Sequence, residues 1–358
     1  MSSNETTRAR LLAHHRAYPR MQIADLFKYL FQSAFGCEHL VSSEETAIAY
    51  IRRELASAEE FGEAETDRLD GAYSRVHFSW LRDGLCPETL GKLFCRSAKT
   101  EPNGREALLA KLDAARELIR EGLLPFSADS FERELAAWRE GGYPAIHHSE
   151  EFRAVYRPSY RVIAQEYVRL LPLLARIDRG LREQDGLVVA IEGGSASGKT
   201  TLAGLLAELY DCNVFHMDDF FLRPEQRTPE RFAEIGGNVD RERFLEEVLL
   251  PVSRQEAVCY RRFDCTTQSL GAEITVAPKR LTIVEGAYSM HPALMPYYDL
   301  TVFLDIQPGY QRERILRRNT PELAKRFFEE WIPLEETYAA GSGVRERCGL
   351  LIRIDADA

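Results

Sequence analysis

Apolar residues recur at i, i+3 and i+4 along the first half of the chain. "IADLFKYLFQSAF" from Ile23, "TAIAYIRREL" from Thr46, "ALLAKLDAARELI" from Ala107 and "YVRLLPLLARI" from Tyr167 each lay an apolar stripe along one helix face. Punctuation agrees: Ser42-Ser43-Glu44-Glu45 has the S-x-x-E spacing of a capping box, and Gly62, Gly84, Gly122 and Gly141-Gly142 fall where helices would stop. At "DRGLREQDG", Asp178 to Gly186, the helical period gives way to short β-branched runs. Strands are expected at Leu187–Ile191, Asn213–Met217, Leu281–Glu285, Leu300–Asp305 and Leu350–Ile354, with helices between them. Buried apolar strands alternating with helices predict a parallel α/β sheet over 186–358, preceded by a mostly α-helical accessory domain over 1–180.

The first strand runs into "GGSASGKTT", where Gly193, Gly198, Lys199 and Thr200 fit G-x-x-x-x-G-K-[ST]. Small residues let the loop from Gly193 through Gly194, Ser195, Ala196, Ser197 and Gly198 wrap, so that its N–H groups and the N-terminus of the following helix face an anion. A triphosphate fits that cradle. Lys199 is expected to reach the β- and γ-phosphates, the Thr200 hydroxyl to ligate Mg²⁺, and Thr201 to donate to the α-phosphate.

The loop is shared by switch GTPases, transport ATPases and small-molecule kinases, so other residues must discriminate. No N-K-x-D and no L-S-G-G-Q occurs. Instead, about twenty residues on, "VFHMDDFFLRP" ends a second strand in Asp218-Asp219. In a parallel sheet that end opens onto the same crevice as the loop, where a carboxylate can meet Mg²⁺ or take the proton of an attacking alcohol. Asp218 is the expected base and Asp219 a turn-capping group; a solvated strand end is the alternative for the pair. The third strand, "RLTIVEGAYS", delivers Glu285 to the crevice as a further Mg²⁺ ligand or, alternatively, a loop cap. Downstream, "QRERILRRNTPELAKRF" gathers arginines that could meet a transferring phosphoryl group, most of them being surface charges.

Charge and cysteine content narrow the setting. With 46 Lys+Arg against 56 Asp+Glu, the net charge of −10 disfavours broad nucleic-acid or anionic-membrane binding while permitting one basic pocket. The 7 cysteines include no CxxC, which points to a reducing, cytoplasmic compartment, and no apolar run approaches a membrane span.

"GGSASGKTT", "HMDDFF", "GNVDRERF", "RRFDCTTQS", "IVEGAY" and "RILRRN", in that order, resemble the uridine kinase family of P-loop kinases, which includes nicotinamide riboside kinases, with pantothenate kinase and phosphoribulokinase more distant. The resemblance spans about 186–354. It implies a five-stranded parallel core, ATP·Mg²⁺ as donor, and phosphoryl transfer to a primary hydroxyl such as a ribose 5′-OH. By the same resemblance Asp218 is the catalytic aspartate, Asp240 holds ribose hydroxyls, and Arg317, or Arg318 if the register slips by one, holds substrate and phosphate. Where the family offers a tyrosine and a histidine to a pyrimidine, this chain has Phe263 and Gln268. The lid segment also lacks the family's R-G-R run. The expected activity is therefore kinase action on a nucleoside or similar small alcohol, with no nucleic-acid or membrane partner and with homo-oligomerisation open. A regulatory ATP-binding module, or a kinase for a non-nucleoside alcohol, is the alternative.

The first half carries no comparably specific motif. Its histidines at 14, 15, 39, 77, 147 and 148 lack metal-ligand spacing and are expected to be packing or surface groups. Arg153, Arg157 and Arg161 with Tyr156 and Tyr160 are expected on a solvated helical face or, alternatively, in a basic aromatic pocket, with Pro158 interrupting the helix.

Overall fold

The computed structural model describes residues 3–37, 43–57, 65–98 and 104–355. The chain divides into two compact units, Met1–Ala175 and Arg176–Ala358.

In the first unit, helices α1 (Ser3–Ala17), α2 (Ile23–Phe35), α3 (Glu44–Ser57), α4 (Pro87–Ser97), α5 (Gly104–Arg120), α6 (Ala128–Glu140) and α7 (Glu150–Tyr156) surround a three-stranded antiparallel sheet. Its strands are β1 (Thr66–Arg68), β2 (Tyr73–His77) and β3 (Tyr160–Ala164), in the order β1-β2-β3. The apolar stripe of α2 buries Leu26, Phe27 and Leu30, and Trp138 of α6 stacks on Phe27 with ring centroids 4.9 Å apart. Ser43 caps α3 by accepting from Thr46 N–H at 3.2 Å; Ser42, like Gly62 and His39, lies outside the described residues.

The sheet was not legible from periodicity, because its strands are short and its central strand buries Ser74 and Arg75 beside its apolar residues. Arg75, at the centre of β2, is 1% exposed; its Nε donates to Gln32 Oε1 at 2.9 Å and its guanidinium lies 4.8 Å from the Tyr160 ring. Beside it, His148 joins Asp25 (2.9 Å) to the Tyr160 hydroxyl (2.7 Å), and burial pushes its pKa down to about 4, keeping it neutral. The arginine set does not share a helical face. α7 ends at Tyr156, Arg157 takes left-handed backbone (φ 44°), and Arg161 lies on β3 bonded to Glu54 at 3.0 Å. Among the described residues no group of three or more His, Cys, Asp or Glu side chains could hold a metal.

Helix α8 (Leu171–Glu183) runs on into the second unit, where Tyr210 donates to Asp178 at 3.0 Å. That unit holds a five-stranded parallel sheet of β4 (Leu187–Gly193), β5 (Cys212–His216), β8 (Leu281–Glu285), β9 (Leu300–Ile306) and β10 (Leu350–Ile354), ordered β10-β9-β4-β8-β5. β4 is central and almost wholly buried, as a continuous apolar run with neighbours on both sides must be. In register, Ile191 of β4 pairs with Glu285 of β8, and Glu285 with His216 of β5, so three chain segments end side by side at one edge of the sheet. Helix α9 (Lys199–Leu209) follows the loop after β4. Besides short helical turns such as Pro229–Ala233, Arg241–Phe244 and Val344–Arg347, later helices include α10 (Pro308–Arg318), α11 (Pro321–Arg326) and α12 (Ile332–Ser342), the last two joined by a π-helical turn, Phe327–Trp331. An antiparallel hairpin of β6 (Val258–Asp264) and β7 (Ser269–Val276), unpredicted, carries Cys265–Gln268 at its tip. Among the described residues no helix is long and apolar enough to cross a membrane.

Candidate active site

The loop after β4 wraps tightly because its glycines take backbone that other residues rarely adopt. Gly193 has φ 148° and Gly198 φ 101°; a Cβ on Gly193 would sit 2.6 Å from the Leu304 carbonyl oxygen. Gly198 caps α9 without a side-chain acceptor, so the first N–H groups of that helix are left for a ligand. Ser197 Oγ is buried with no partner. Lys199 Nζ meanwhile donates to the carbonyls of Gly193 (2.8 Å) and Gly194 (3.1 Å). Uncapped amides, an orphaned hydroxyl and a lysine bound only to carbonyls form a donor-rich cradle that suits a polyphosphate.

The cradle opens into a cleft of about 870 Å³ whose walls include Lys199, Thr200, Asp218, Gln268 and Glu285. Thr200 Oγ1 donates to Glu285 Oε1 at 3.1 Å, and the same oxygen lies 2.6 Å from His216 Nδ1. That contact with Glu285 raises the His216 pKa. The hydroxyl and carboxylate together are oxygen donors of the kind Mg²⁺ takes. Asp218, in the 3₁₀ turn Met217–Phe220, reaches solvent through the cleft. Desolvation by the surrounding walls pushes its carboxyl up, Lys199 pulls it down, and Glu285 pushes it up again. Asp219 instead pairs with Arg262 at 3.1 Å.

Other expected residues fall elsewhere. Asp240 is 2% exposed and is not among the cleft-lining residues; it caps the turn Arg241–Phe244 through Arg243 N–H (3.2 Å) and accepts from Gln226 Nε2 (2.9 Å). Phe263 is 5% exposed in the hairpin, with the Arg227 guanidinium 5.6 Å from its ring, and does not line the cleft. Gln268 does, although its Nε2 also donates to the Cys265 carbonyl at 2.5 Å. Arg317 lies on the exposed side of α10 and away from the cleft, whereas Arg314 and Arg318, one turn apart, line it together with Arg326. The reason is the inward face of α10: Gln311 donates to the Ser195 carbonyl at 2.8 Å and Ile315 is fully buried, so positions in phase with them face the loop.

Three carboxylate and imidazole groups escaped the sequence reading. His216 precedes the Asp pair but became visible as a Glu285 partner only through strand register. Glu192, last but one in β4, lies under the loop and accepts from the N–H groups of Gly193, Tyr288 and Met290 (3.0–3.1 Å). Burial drives its pKa up to about 7. Glu335 of α12 accepts from Ser195 N–H at 2.7 Å and from Ser195 Oγ at 2.6 Å.

A glycine-rich phosphate loop at the carboxyl end of the central strand, in a five-stranded parallel sheet, makes the second unit a P-loop NTPase-type domain. Over about half of the chain it is similar to uridine-kinase-like P-loop kinases. The uridine kinase of Ligilactobacillus salivarius is 24% identical over 149 residues, which is 39% of this chain and 70% of that one. Among solved structures, a possible uridine kinase from Bacillus stearothermophilus is 20% identical with a TM-score of 0.42, covering 52% of this chain and 99% of the other. A protein proposed as a fructose transport system kinase from Silicibacter sp. TM1040 is 23% identical with a TM-score of 0.40, covering 48% and 91%. No family model matches the chain.

Proposed function

We propose that the second unit is an ATP- and Mg²⁺-dependent phosphotransferase that moves the γ-phosphate of ATP to a primary hydroxyl of a small molecule, a nucleoside being the leading acceptor class. One observation carries the reading: Lys199, the Thr200–Glu285 pair and Asp218 converge on one cleft from three adjacent strand ends. A transport motor has no need of a carboxylate there that can accept a proton from an alcohol; a kinase does. The uridine kinase of L. salivarius supports the acceptor class.

In this reading, the amides after Gly198 and the Lys199 ammonium would hold the polyphosphate, Thr200, Glu285 and Asp218 would hold Mg²⁺, and Thr201 would donate to the α-phosphate. ATP·Mg²⁺ supplies the phosphoryl group and its electrophilic activation when bound. Asp218 orients the acceptor hydroxyl and takes its proton, while Arg314, Arg318 and Arg326 bring positive charge to the same cleft. His216 steadies the Glu285 carboxylate. The first unit serves as an accessory domain. A cytoplasmic setting suits the seven cysteines, all of which are free thiols.

A non-nucleoside alcohol is the second reading, favoured because Asp240, the expected ribose-holding carboxylate, is committed to a helix cap and Gln226. The test is a product survey: the full chain with ATP·Mg²⁺ and a panel of nucleosides, nicotinamide riboside, pantothenate and sugar alcohols, products weighed by mass spectrometry, with Lys199→Ala as control. A phosphorylated nucleoside lost in the control supports the first reading, and a phosphorylated non-nucleoside alcohol the second. ATP binding without product across the panel would favour a regulatory nucleotide-binding module instead.

A further inference from the structure

Glu335 lies where a kinase of this geometry has least use for a negative charge. Its two oxygens bridge the backbone N–H and the hydroxyl of Ser195, much as two oxygens of one phosphate would. The carboxylate lines the same cleft as Lys199, Thr200 and Asp218. It is also within electrostatic reach of both Lys199, which attracts it, and Asp218, which repels it. A terminal phosphate aligned for attack by an alcohol on Asp218 belongs in that space between lysine and aspartate. Lys199 forms no ion pair with Glu335 and remains on the loop carbonyls, so the internal anion satisfies Ser195 without engaging the lysine.

The surroundings allow the carboxylate to leave. α11 and the π turn rest on the loop through a small cluster of Ala196, Ile315 and Ala324, padded by Phe327, Phe328 and Ile332 and separate from the main core. The π turn and Pro333 interrupt the helical ladder just before Glu335. One turn further on, Tyr338 is 3% exposed and donates to Glu192 Oε2 at 3.2 Å, which anchors the rest of α12. Displacement is thus a matter of the Glu335 side chain and the turn before it.

We propose that Glu335 is an internal competitor for the donor's terminal phosphate: it occupies Ser195 when no triphosphate is bound and must be displaced by the γ-phosphate, so that it sets the protein's relative affinity for tri- and diphosphate. This rests on reading the loop as the ATP site. A β-phosphate held deeper, on the amides after Gly198, does not meet Glu335, so ADP escapes the competition.

The experiment is equilibrium titration of the full chain with AMP-PNP·Mg²⁺ and ADP·Mg²⁺, comparing wild type, Glu335→Gln and Glu336→Gln. The amide oxygen of glutamine still accepts from Ser195 but carries no charge. Glu335→Gln is expected to tighten AMP-PNP by about tenfold and to change ADP by less than about twofold, with Glu336→Gln, an exposed neighbour, altering neither. Weaker or unchanged AMP-PNP binding, or equal shifts for both nucleotides, overturns the proposal and makes Glu335 a brace for the loop. Lys199→Ala separates this from the underlying reading: if it binds both nucleotides as wild type does, or if no variant binds either, the ATP-site reading fails and the proposal with it.

Discussion

Replacing Asp218 by asparagine separates chemistry from architecture. The side chain keeps its shape and one acceptor oxygen, which can still ligate Mg²⁺ beside Thr200 and Glu285, but it can no longer take a proton. Removing general-base catalysis typically costs 10²- to 10⁴-fold in rate, or about 3–5 kcal/mol of transition-state stabilisation. The structure predicts that little of this comes through the fold. Asp218 is open to the cleft, and opposing influences act on its carboxylate: the enclosing walls, Glu285 and Asp219 disfavour the charge, while Lys199 and His216 favour it, the balance raising its pKa. Removing that charge should leave the melting temperature within about 2 °C of wild type or raise it slightly, as expected of a surface change that breaks no packing. The assay is steady-state ADP release with the acceptor identified by the product survey, with kcat and KM measured for both substrates alongside a thermal melt. The expected result is a collapse in kcat with KM for ATP changed by less than about threefold. A kcat within about threefold of wild type would remove Asp218 as the base, and a parallel fall of more than about 5 °C in melting temperature would make the loss structural.

Three further perturbations test the surrounding geometry. Gly193→Ala must place a Cβ 2.6 Å from the Leu304 carbonyl and 2.9 Å from Ser197 Oγ at φ 148°; strain of about 1–3 kcal/mol should weaken ADP by about tenfold or more, and binding equal to wild type would refute the cradle. Arg318→Ala should lower kcat/KM by at least about tenfold while Arg317→Ala changes it by less than about twofold, in line with their placement on and off the cleft wall; the reverse order would refute that assignment. Glu192 tests the pH dependence of stability. A carboxyl raised from 4.5 to about 7 by burial holds its proton more tightly in the folded state, so its contribution favours folding at low pH and is lost as pH rises through that window. Melting from pH 5 to 8 should show wild-type stability falling by up to about 1.4 kcal/mol per pH unit from this group and a flatter profile in Glu192→Gln; identical slopes would refute the assignment.

The second unit was readable to the extent that its features are local. Five apolar runs of strand length, a glycine-rich turn between a strand and a helix, and acidic residues at two other strand ends carry their meaning within a few residues each. Parallel topology then obliges those ends to share one crevice. What escaped depended on pairing or phase. The hairpin Val258–Val276 buries only Val258, Tyr260 and Phe263 of its first strand in a segment too polar to stand out, and the small antiparallel sheet of the first unit is built around a buried arginine that periodicity scores as surface.

By itself, then, the sequence determined the P-loop fold, the phosphate loop and the two acidic strand ends, because period, turn chemistry and spacing are written in contiguous residues. Only the tertiary structure decided the rest. Arg318 rather than Arg317 faces the cleft, since the buried side of α10 sets the helix phase. Asp240 went to a helix cap, His216 to Glu285 across 69 residues of chain, and Glu335 to Ser195 across 140. Contacts of that separation arise only when distant segments pack, and no local pattern encodes which charged side chain the packing will turn inward.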